Sequence, residues 1–368
     1  MTSKPGPSDP SDVVEVIPAE FDAAVSARLD AFFEARREQL ALIGVPLGRL
    51  LEAARSSVEG GKRLRPAFAY WGWRAAGRSP DKTTPIVTAA AAIELVHASA
   101  LVHDDVMDDS ATRRGKPSAH RAFTDDVAPA TRPDVARAFG ISAAILLGDL
   151  LLSWSDELFA AGELKPKMAA RGRLYFDLLR TEVVAGQYLD VLGQATGSSS
   201  ASDALRVVRY KSAKYTVERP LQLGAALGKA DRHLLRALSS YGIPLGEAFQ
   251  LRDDVLGVFG ESGMTGKPSG DDIREGKRTL LMARATSRAT SKQQAVLDRN
   301  FANPTVSTAG IEATQQVIRD TGALAAVETV IAELTEAALS TLEKTPISDE
   351  QARSALRLLA DRATNREV

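Results

Sequence analysis

The sequence predicts an all-α fold, a single domain whose helices surround a central cavity. Apolar residues recur at three- to four-residue steps, as Phe21, Val25, Leu29 and Phe32 show. The alternation of apolar and polar residues that marks strands is scarce, and β-branched runs are short. Two Asp-rich segments, far apart in the chain, both lie inside apolar helical pattern. Because unpaired carboxylates are costly there, we expect the two segments to face each other across the cavity.

The helical pattern runs from Pro18 to about Ser57 and then through most of the chain. Its expected breaks are the Gly- and Pro-rich stretches Gly60-Gly61, Gly77–Pro80, Asp125–Pro133, Gly193–Ser202, Gly260–Gly270 and Asn303–Thr308. Residues 1–18 are rich in Pro, Ser and Asp, and we expect them to be disordered. Residues 19–368 then form one domain, since no internal repeat or linker divides them.

The chain has 368 residues, a formal net charge of −1 and no cysteine. The balanced charge argues against nucleic-acid binding and against a polybasic membrane anchor. The lack of cysteine excludes disulfides and Cys nucleophiles and agrees with a cytoplasmic location. The longest apolar runs are Ile86–Val102 and Phe139–Trp154. Polar residues such as Glu94, His97 and Asp149 interrupt them, so they predict buried core helices instead of membrane spans.

The first Asp-rich segment runs from Asp104 to Asp109. On a helix, Asp104, Asp105 and Asp108 fall within an arc of about 100°, so three carboxylates share one face. Asp109 rotates away and is expected to be solvated or paired. A plain acidic helix end is the alternative, but the apolar residues on either side disfavour it. Hard cations such as Mg²⁺ take oxygen ligands and keep substrate phosphates in the same shell, so the segment predicts a Mg²⁺–diphosphate site.

The second Asp-rich segment begins at Asp253-Asp254. It is the weaker signal, because Gly257 stands where a third carboxylate would complete the spacing. Further downstream, residues 263–278 form a Gly-rich loop that contains Lys267 and Lys277. This loop is either a lid that closes over phosphates or an ordinary solvated loop.

Cations accompany the first Asp-rich segment. Lys62, Arg63 and Arg65 surround a Gly-rich turn just before a helix, a setting that suits a diphosphate, although an ordinary basic loop is equally consistent. Arg113-Arg114 follow the Asp residues closely. His97 lies two turns before Asp104 on the same face and is either a phosphate donor or a satisfied core histidine. No His pair has zinc-site spacing, and no nucleophile elbow or Walker loop occurs.

Taken in order, these motifs resemble those of the trans-isoprenyl diphosphate synthases, the polyprenyl synthetase family. The order is Gly-Gly-Lys-Arg-x-Arg-Pro, Asp-Asp-x-x-Asp followed by Arg-Arg-Gly-x-Pro, Gly186-Gln187, Lys211-Ser212 and Phe249-Gln250-x-x-Asp253-Asp254. The resemblance covers roughly Leu29 to Ala360 and is nearest to actinobacterial geranylgeranyl diphosphate synthases. It implies the isoprenoid synthase fold, a ring of antiparallel helices around a deep apolar cavity, and a homodimer.

The resemblance also implies a reaction, the head-to-tail condensation of isopentenyl diphosphate with an allylic diphosphate (dimethylallyl, geranyl or farnesyl). Asp104, Asp105 and Asp108 would bind Mg²⁺ that bridges the allylic diphosphate. Asp253, and Asp254 through water, would hold a further ion, for two or three Mg²⁺ per subunit.

Roles for the remaining residues follow from the same resemblance. Arg113 would contact the allylic diphosphate. The residues implied for isopentenyl diphosphate are Lys62, Arg65, His97 and Arg114. Those implied for the reacting centre are Gln187, Lys211, Ser212 and Gln250. Lys267 and Lys277 would lie on the closing loop.

Two departures from the family pattern stand out, Gly257 in place of a third Asp and Ser212 in place of the common Thr. Product length should depend on residues one turn before Asp104. In the family an aromatic residue there stops growth at fifteen carbons, whereas Ser99 and Ala100 are small. We therefore expect geranylgeranyl diphosphate, with farnesyl or a product of twenty-five or more carbons as the alternative. A class I terpene cyclase and a non-catalytic subunit of a heteromeric synthase are the more distant alternatives.

Overall fold

The computed structural model describes residues 16–161, 164–197, 200–260 and 270–364, which are helical almost throughout. The first helices are α1 (Ala19–Ile43), α2 (Leu47–Val58), α3 (Leu64–Ala75), α4 (Thr84–Met107), α5 (Ala119–Val127), α6 (Pro133–Ala160), α7 (Pro166–Thr196), α8 (Ala201–Val207), α9 (Arg219–Leu227) and α10 (Arg232–Phe259). The last are α11 (Asp271–Glu275), α12 (Leu280–Arg288), α13 (Ser291–Asn300), α14 (Thr308–Asp320), α15 (Ala323–Lys344) and α16 (Glu350–Thr364). The predicted all-α fold is confirmed.

Three short elements interrupt or join these helices. A 3₁₀ turn, Ala128–Ala130, lies between α5 and α6, and a π-helix, Val208–Glu218, joins α8 to α9. After α4 the strands β1 (Thr112–Arg113) and β2 (Lys116–Pro117) pair antiparallel. Sequence reasoning did not predict this hairpin, whose strands are only two residues long.

The helices alternate in direction, so their ends gather at two poles. One cavity is lined by the start of α3, the middle of α4 and the C-terminal half of α10. Another is lined by the end of α3, the starts of α4 and α7 and the turn after α9. We call these ends the motif pole and the basal pole, because both Asp-rich segments lie at the first.

Helix α4 runs through the core. Ala89 to Ala92, Ile93 and Leu95 have no exposed surface, and α4 packs along α6. Small residues allow the neighbouring α3 and α9 to approach each other closely. A Cβ on Gly224 would lie 1.8 Å from the carbonyl oxygen of Ala69, so this contact requires glycine. The dense packing holds the end of α4 rigidly at the motif pole.

The helical pattern predicted from Pro18 to about Ser57 is not continuous, and on this point the prediction was wrong. Residues 44–46 separate α1 from α2. Pro46 cannot donate a backbone hydrogen bond and disfavours a helical Val45, which ends α1. Most of residues 1–18, predicted to be disordered, lie outside the described part of the chain. Val16 lies inside it, and its carbonyl oxygen accepts a bond of 2.8 Å from Trp71 Nε1.

Two helices, α4 and α6, are long and apolar enough to cross a membrane by composition alone. The apolar part of α4 is 78% buried within the fold, as expected of a core helix, whereas that of α6 is only 39% buried. Helix α6 therefore presents apolar surface on the outside of the monomer, with Phe139, Ile145 and Leu146 among the exposed side chains.

Candidate active site

The first Asp-rich segment lies at the carboxyl end of α4. Asp104 and Asp105 belong to the last turn, and Asp108 is the residue that caps it. Asp105 is almost fully buried and accepts a bond of 2.9 Å from Arg113 Nε. Asp104 Oδ1 accepts a bond of 2.9 Å from Gln187 Nε2 and lies 3.5 Å from Lys211 Nζ. Side chains from the hairpin, α7 and the π-helix thus converge on two of the carboxylates.

Asp109 turns away from this group, as the helical spacing predicted. Its φ of 50° leaves the helical conformation. Its carboxylate lies 2.9 Å from Arg121 and 3.4 Å from Arg137, on α5 and α6. The fourth Asp of the string therefore anchors neighbouring helices and is paired, not part of the cavity wall.

Asp108 is buried beside charges of both signs. Burial and the neighbouring Asp104 raise its pKa to about 6, against the opposing effect of Lys211 and Lys277. Burial also raises the pKa of Asp105, although Arg113 opposes the shift. Such carboxylates are ready to take up a cation.

The second Asp-rich segment lies near the carboxyl end of α10. Asp254 is buried, and its Oδ1 accepts a bond of 2.8 Å from Gln250 Nε2, one turn earlier. Burial, followed by the charges of Asp272 and Asp253, raises the pKa of Asp254 to about 7. Asp253 lines the cavity at the motif pole. The second segment therefore has more neighbouring negative charges than positive ones.

Gly257 makes room for a carboxylate from elsewhere in the chain. A Cβ at this position would lie 2.0 Å from Asp272 Oδ2, so the α11 side chain occupies the space beside α10. Asp272 Oδ1 lies 3.0 Å from Lys277 Nζ, and Glu275 lies 2.9 Å from the same nitrogen. Burial alone would lower the pKa of Lys277, but these two carboxylates raise it, so the ammonium stays charged.

The cationic turn before α3 forms the opposite wall. Arg65 Nη1 donates to His97 Nε2 over 3.3 Å, and Nη2 donates to Thr216 Oγ1 over 3.0 Å. The guanidinium lies over the ring of Tyr215 at 4.2 Å. Its buried Nε has no acceptor among the residues that the structure describes. Arg65 is thus held firmly through two of its five N–H groups, and the others remain for an anion.

His97 is neutral in this setting. Burial and the nearby cations, first of all Arg65, hold its pKa well below the usual range. Its Nε2 accepts from Arg65, and its Nδ1 lies 3.3 Å from the hydroxyl of Tyr215. The structure therefore places His97 at the cavity, as predicted, with the ring bonded to Arg65.

Neighbouring arginines serve different halves of the site. Arg113 reaches Asp105, whereas Arg114 reaches the glycine turn, where its Nη1 donates to the carbonyl of Glu59. Gly61 has a φ of 85°, which favours glycine, and a Cβ there would lie 2.8 Å from Arg114 Nη2, which would have to move. Arg113 lies in β1, whereas Arg114 lies in the turn that follows it and has a φ of 53°, so the two side chains leave the hairpin in different directions.

The cavity between these walls has a volume of about 340 Å³. The predicted residues that line it are Lys62, Arg65, His97, Arg114, Ser212, Gln250 and Asp253. Arg63, the third cation of the turn, also lines the cavity, but its guanidinium is held by α1 through Asp22 and Ser26. Among the described residues, no group of three or more carboxylate or histidine side chains is arranged so that it could bind a metal ion.

Other predicted residues lie nearby or outside the described structure. Lys277 is placed with the second segment, whereas Lys267 lies outside the described residues. Ser99 is buried, and its hydroxyl donates over 2.7 Å to the carbonyl of Gly148 on α6. Ala100 is partly exposed. Both stay predictions as determinants of product length.

Sequence reasoning missed several residues of the site. Asp190 Oδ2 lies 2.6 Å from Lys211 Nζ and so fixes the lysine beside Asp104. Its spacing of three residues from Gln187 on α7 was the signal that could have revealed it. Tyr215 and Thr216, which hold Arg65 and His97, gave no signal, because only tertiary folding brings the π-helix to α3.

Comparisons with known proteins agree with this geometry. The model of the polyprenyl synthetase family matches residues 48–318. A geranylgeranyl diphosphate synthase of Mycobacterium tuberculosis is 34% identical over 281 residues, 76% of this chain and 74% of that protein. A geranylfarnesyl diphosphate synthase of Aeropyrum pernix is 30% identical over 305 residues, 82% of this chain and 89% of that protein.

A solved structure is also similar to this chain over nearly its whole length. The geranylgeranyl pyrophosphate synthase of Corynebacterium glutamicum, complexed with isoprenyl diphosphate and magnesium, superimposes with a TM-score of 0.90. It is 41% identical, and the match covers 95% of this chain and 99% of that one. The chain accordingly belongs to the polyprenyl synthetase family of trans-prenyltransferases, which use divalent metal ions.

Proposed function

We propose that the protein joins isopentenyl diphosphate head to tail to an allylic diphosphate and releases geranylgeranyl diphosphate. The observation that carries the two-diphosphate assignment is the division of Arg113 and Arg114 between two walls. Arg113 lies with the Asp carboxylates, and Arg114 lies with the glycine turn and Arg65. A site for one diphosphate, as in a terpene cyclase, would not need the second cationic wall.

The carboxylates fit Mg²⁺ as their metal. Asp104, Asp105, Asp108, Asp253 and Asp254 offer only oxygen donors, which hard cations prefer. The raised pKa values of Asp108 and Asp254 come first from burial and then from neighbouring carboxylates, and a bound cation would offset both effects. Two or three Mg²⁺ ions, when bound, supply charge neutralisation to the allylic diphosphate.

The side chains of this protein then support each step. Arg113, Lys211 and Lys277 stabilise the diphosphate that departs with the electron pair of the allylic C–O bond. The dipoles of the Ser212 hydroxyl and the Gln250 amide stabilise the carbocation that remains. The double bond of isopentenyl diphosphate, held by Lys62, Arg65 and Arg114, attacks this cation. A proton is then lost to the departed diphosphate, so no side-chain nucleophile is required.

The first experiment tests the assignment of the second diphosphate. Arg65→Ala should raise KM for isopentenyl diphosphate by about tenfold or more and change KM for the allylic substrate little, because one charge-assisted contact is lost. Arg63→Ala is the matched control. Since Arg63 is held by α1, its removal should lower the melting temperature without this split in KM. Equal effects of Arg65→Ala on both substrates would contradict the assignment.

The product of twenty carbons is supported by the small residues Ser99 and Ala100 and by the geranylgeranyl synthases among the relatives. Farnesyl and longer products are the alternatives, since relatives with other products also match. Ser99→Phe and Ala100→Phe should shift the main product to fifteen carbons by overpacking, at a cost of about 1–3 kcal/mol. Ser99→Ala, which removes only the bond to Gly148, should keep the original product.

Chromatography of the products decides this second test. If both Phe variants still release the original chain length, Ser99 and Ala100 do not bound the growing tail. Total diphosphate release should fall much less than the output of the longer product, because the Asp carboxylates are untouched.

We also propose that the protein is a cytoplasmic homodimer. The described surface carries large apolar side chains concentrated on α6 and α7, among them Leu146, Leu174, Val184 and Tyr188. Large apolar side chains exposed on two long helices are typical of a subunit interface, and a twofold contact would bury them. Light scattering at micromolar concentration should give twice the mass of the chain, and a charge introduced by Leu146→Glu should reduce it to the monomer. A monomeric mass for the unmodified chain would contradict the dimer.

A further inference from the structure

A second large cavity lies at the basal pole, with a volume of about 1340 Å³. Its walls come from the end of α3, the starts of α4 and α7 and the turn after α9, and we call it the basal groove. Along α4, at about 1.5 Å per residue, about 30 Å separate Thr84 in the groove from Asp104 at the active site. The basal groove is therefore a separate site, joined to the active site by α4 and α7.

The basal groove is strongly cationic. Six of its lining residues carry positive charge: Arg78, Lys82, Lys165, Lys167, Arg171 and Lys229. The one carboxylate among them is Asp81, which already accepts a bond of 2.9 Å from the hydroxyl of Ser79. In a chain whose net charge is −1, this local excess of positive charge favours an anion.

Two long helices add the positive ends of their dipoles. Helices α4 and α7 both begin in the basal groove, at Thr84 and Pro166. The residues that precede them, Thr83 and Lys165, form no side-chain cap. Pro85 and Pro166 have no backbone N–H and Met168 N already donates to the carbonyl of Lys165, so only part of each first turn is left to bind a phosphate group.

Trp73 provides an independent indication of a ligand. It lines the basal groove, is only 2% exposed, and its Nε1 finds no acceptor among the described residues. An unpaired buried donor is costly, so a ligand oxygen there would be favourable. Arg78 lies over the indole at 5.8 Å and is anchored by a bond of 2.7 Å from Nε to the carbonyl of Gly228. Pro85 and Met168 add apolar surface to the same walls.

We propose that the basal groove binds an amphiphilic molecule that ends in a phosphate or diphosphate. The cations, the two helix starts and Trp73 Nε1 hold the headgroup, and Pro85 and Met168 contact the apolar chain. Two sources share this chemistry, a soluble prenyl phosphate and the headgroup of a phosphate-bearing lipid. Neither source depends on the chain length of the product proposed above.

Calorimetric titration of the full-length protein with farnesyl monophosphate, without Mg²⁺, tests the proposal. The variant Lys82→Ala/Lys167→Ala/Lys229→Ala should lose one class of sites or bind it about tenfold more weakly, because charge-assisted contacts are removed. A control that removes equal charge from exposed positions outside the groove, Lys292→Ala/Arg299→Ala/Lys344→Ala, should bind as the unmodified chain does. Prenyl transfer by the groove variant should be unchanged in the absence of the probe.

Two further measurements identify the source and guard against misfolding. Cosedimentation with phosphatidic acid vesicles, compared with phosphatidylcholine vesicles, shows whether a lipid headgroup is bound through the same lysines. Tryptophan fluorescence should change when farnesyl monophosphate binds, and this change should be lost in Trp73→Phe. If the triple variant does not fold, Lys82→Ala or Lys229→Ala alone should still weaken binding of the probe in part. Unchanged binding of both probes by the groove variant would overturn the proposal.

Discussion

The two Asp-rich segments lie near each other, since Lys277 acts on both Asp108 and Asp254, but they are stabilised in different ways. Asp104 and Asp105 are met by Arg113, Gln187 and Lys211, which come from three elements packed into the body of the fold. Asp254 receives an amide from its own helix, and the charges that act on it are Asp253 beside it and Asp272 and Lys277 on the segment from α11 onward. The side chains of the first segment are thus held in place by the helical framework. The electrostatic surroundings of the second segment depend on residues that follow 261–269 in the chain.

The largest expected effect comes from the first segment. Asp104→Ala should reduce turnover by about a thousandfold, because a metal-binding carboxylate is lost from the site where charge develops. The fold should persist, since the change also removes repulsion with Asp108. Steady-state kinetics with circular dichroism check both statements. Near-normal turnover in a folded variant would refute the metal-binding role.

Gly257→Ala should have the next largest effect, and it acts on the second segment. The new Cβ would meet Asp272 Oδ2 at 2.0 Å and force that carboxylate away from Lys277. We expect the apparent affinity for Mg²⁺ in the kinetic assay to fall by about 10–100-fold, as it does when groups that support metal ligands are displaced. Gly48→Ala is the matched control, because a Cβ on Gly48 meets nothing within 4 Å.

A double variant sharpens this test. Gly257→Ala/Asp272→Ala relieves the overlap, so the melting temperature should recover relative to Gly257→Ala, whereas the affinity for Mg²⁺ should not. Recovery of both quantities would show that Asp272 contributes nothing beyond occupying the space.

The pH dependence of stability should also distinguish the segments. Because the pKa of Asp254 is raised to about 7, its ionised form is the unfavourable one in the folded chain without metal. This cost is fully present above pH 7 and disappears below the unfolded pKa of 3.8. Between pH 5 and pH 8 it should lower the free energy of unfolding by about 2–4 kcal/mol.

Urea unfolding without metal, at both pH values, measures this contribution. Asp254→Asn cannot ionise and should remove the larger part of the dependence, and Asp108, whose pKa is raised to about 6, should account for a smaller remainder. Mg²⁺ binds the ionised carboxylate and should therefore stabilise the unmodified chain more at pH 8 than at pH 5. If Asp254→Asn retained the full dependence, another group would have to be responsible.

The smallest effect is expected at Asp109, within the first segment itself. Its ion pairs with Arg121 and Arg137 are partly exposed, so Asp109→Asn should cost at most about 1 kcal/mol of stability. Turnover should stay within about twofold, because the carboxylate points away from the cavity. A loss comparable to that of Asp104→Ala would show that the whole string acts as one unit.

Side-chain positions that follow from helical periodicity could be predicted from the sequence. The spacing of Asp104, Asp105 and Asp108 placed three carboxylates together, and the same spacing turned Asp109 outward, as the structure confirms. The position of a carboxylate from elsewhere in the chain beside Gly257 could not be predicted. Its partner Asp272 lies fifteen positions further along the chain, across a break, and no local pattern relates the two.

By itself, the sequence determined the helical class, the order of the motifs and the oxygen-rich chemistry of the site, because these follow from residue type and from a short-range period. Tertiary structure decided which cations meet which carboxylates. It sent Arg113 and Arg114 to opposite walls, placed Asp190 against Lys211, and brought the starts of α4 and α7 together in the basal groove. These contacts join residues far apart in the chain, and their geometry depends on the packing of whole helices, which local sequence does not specify.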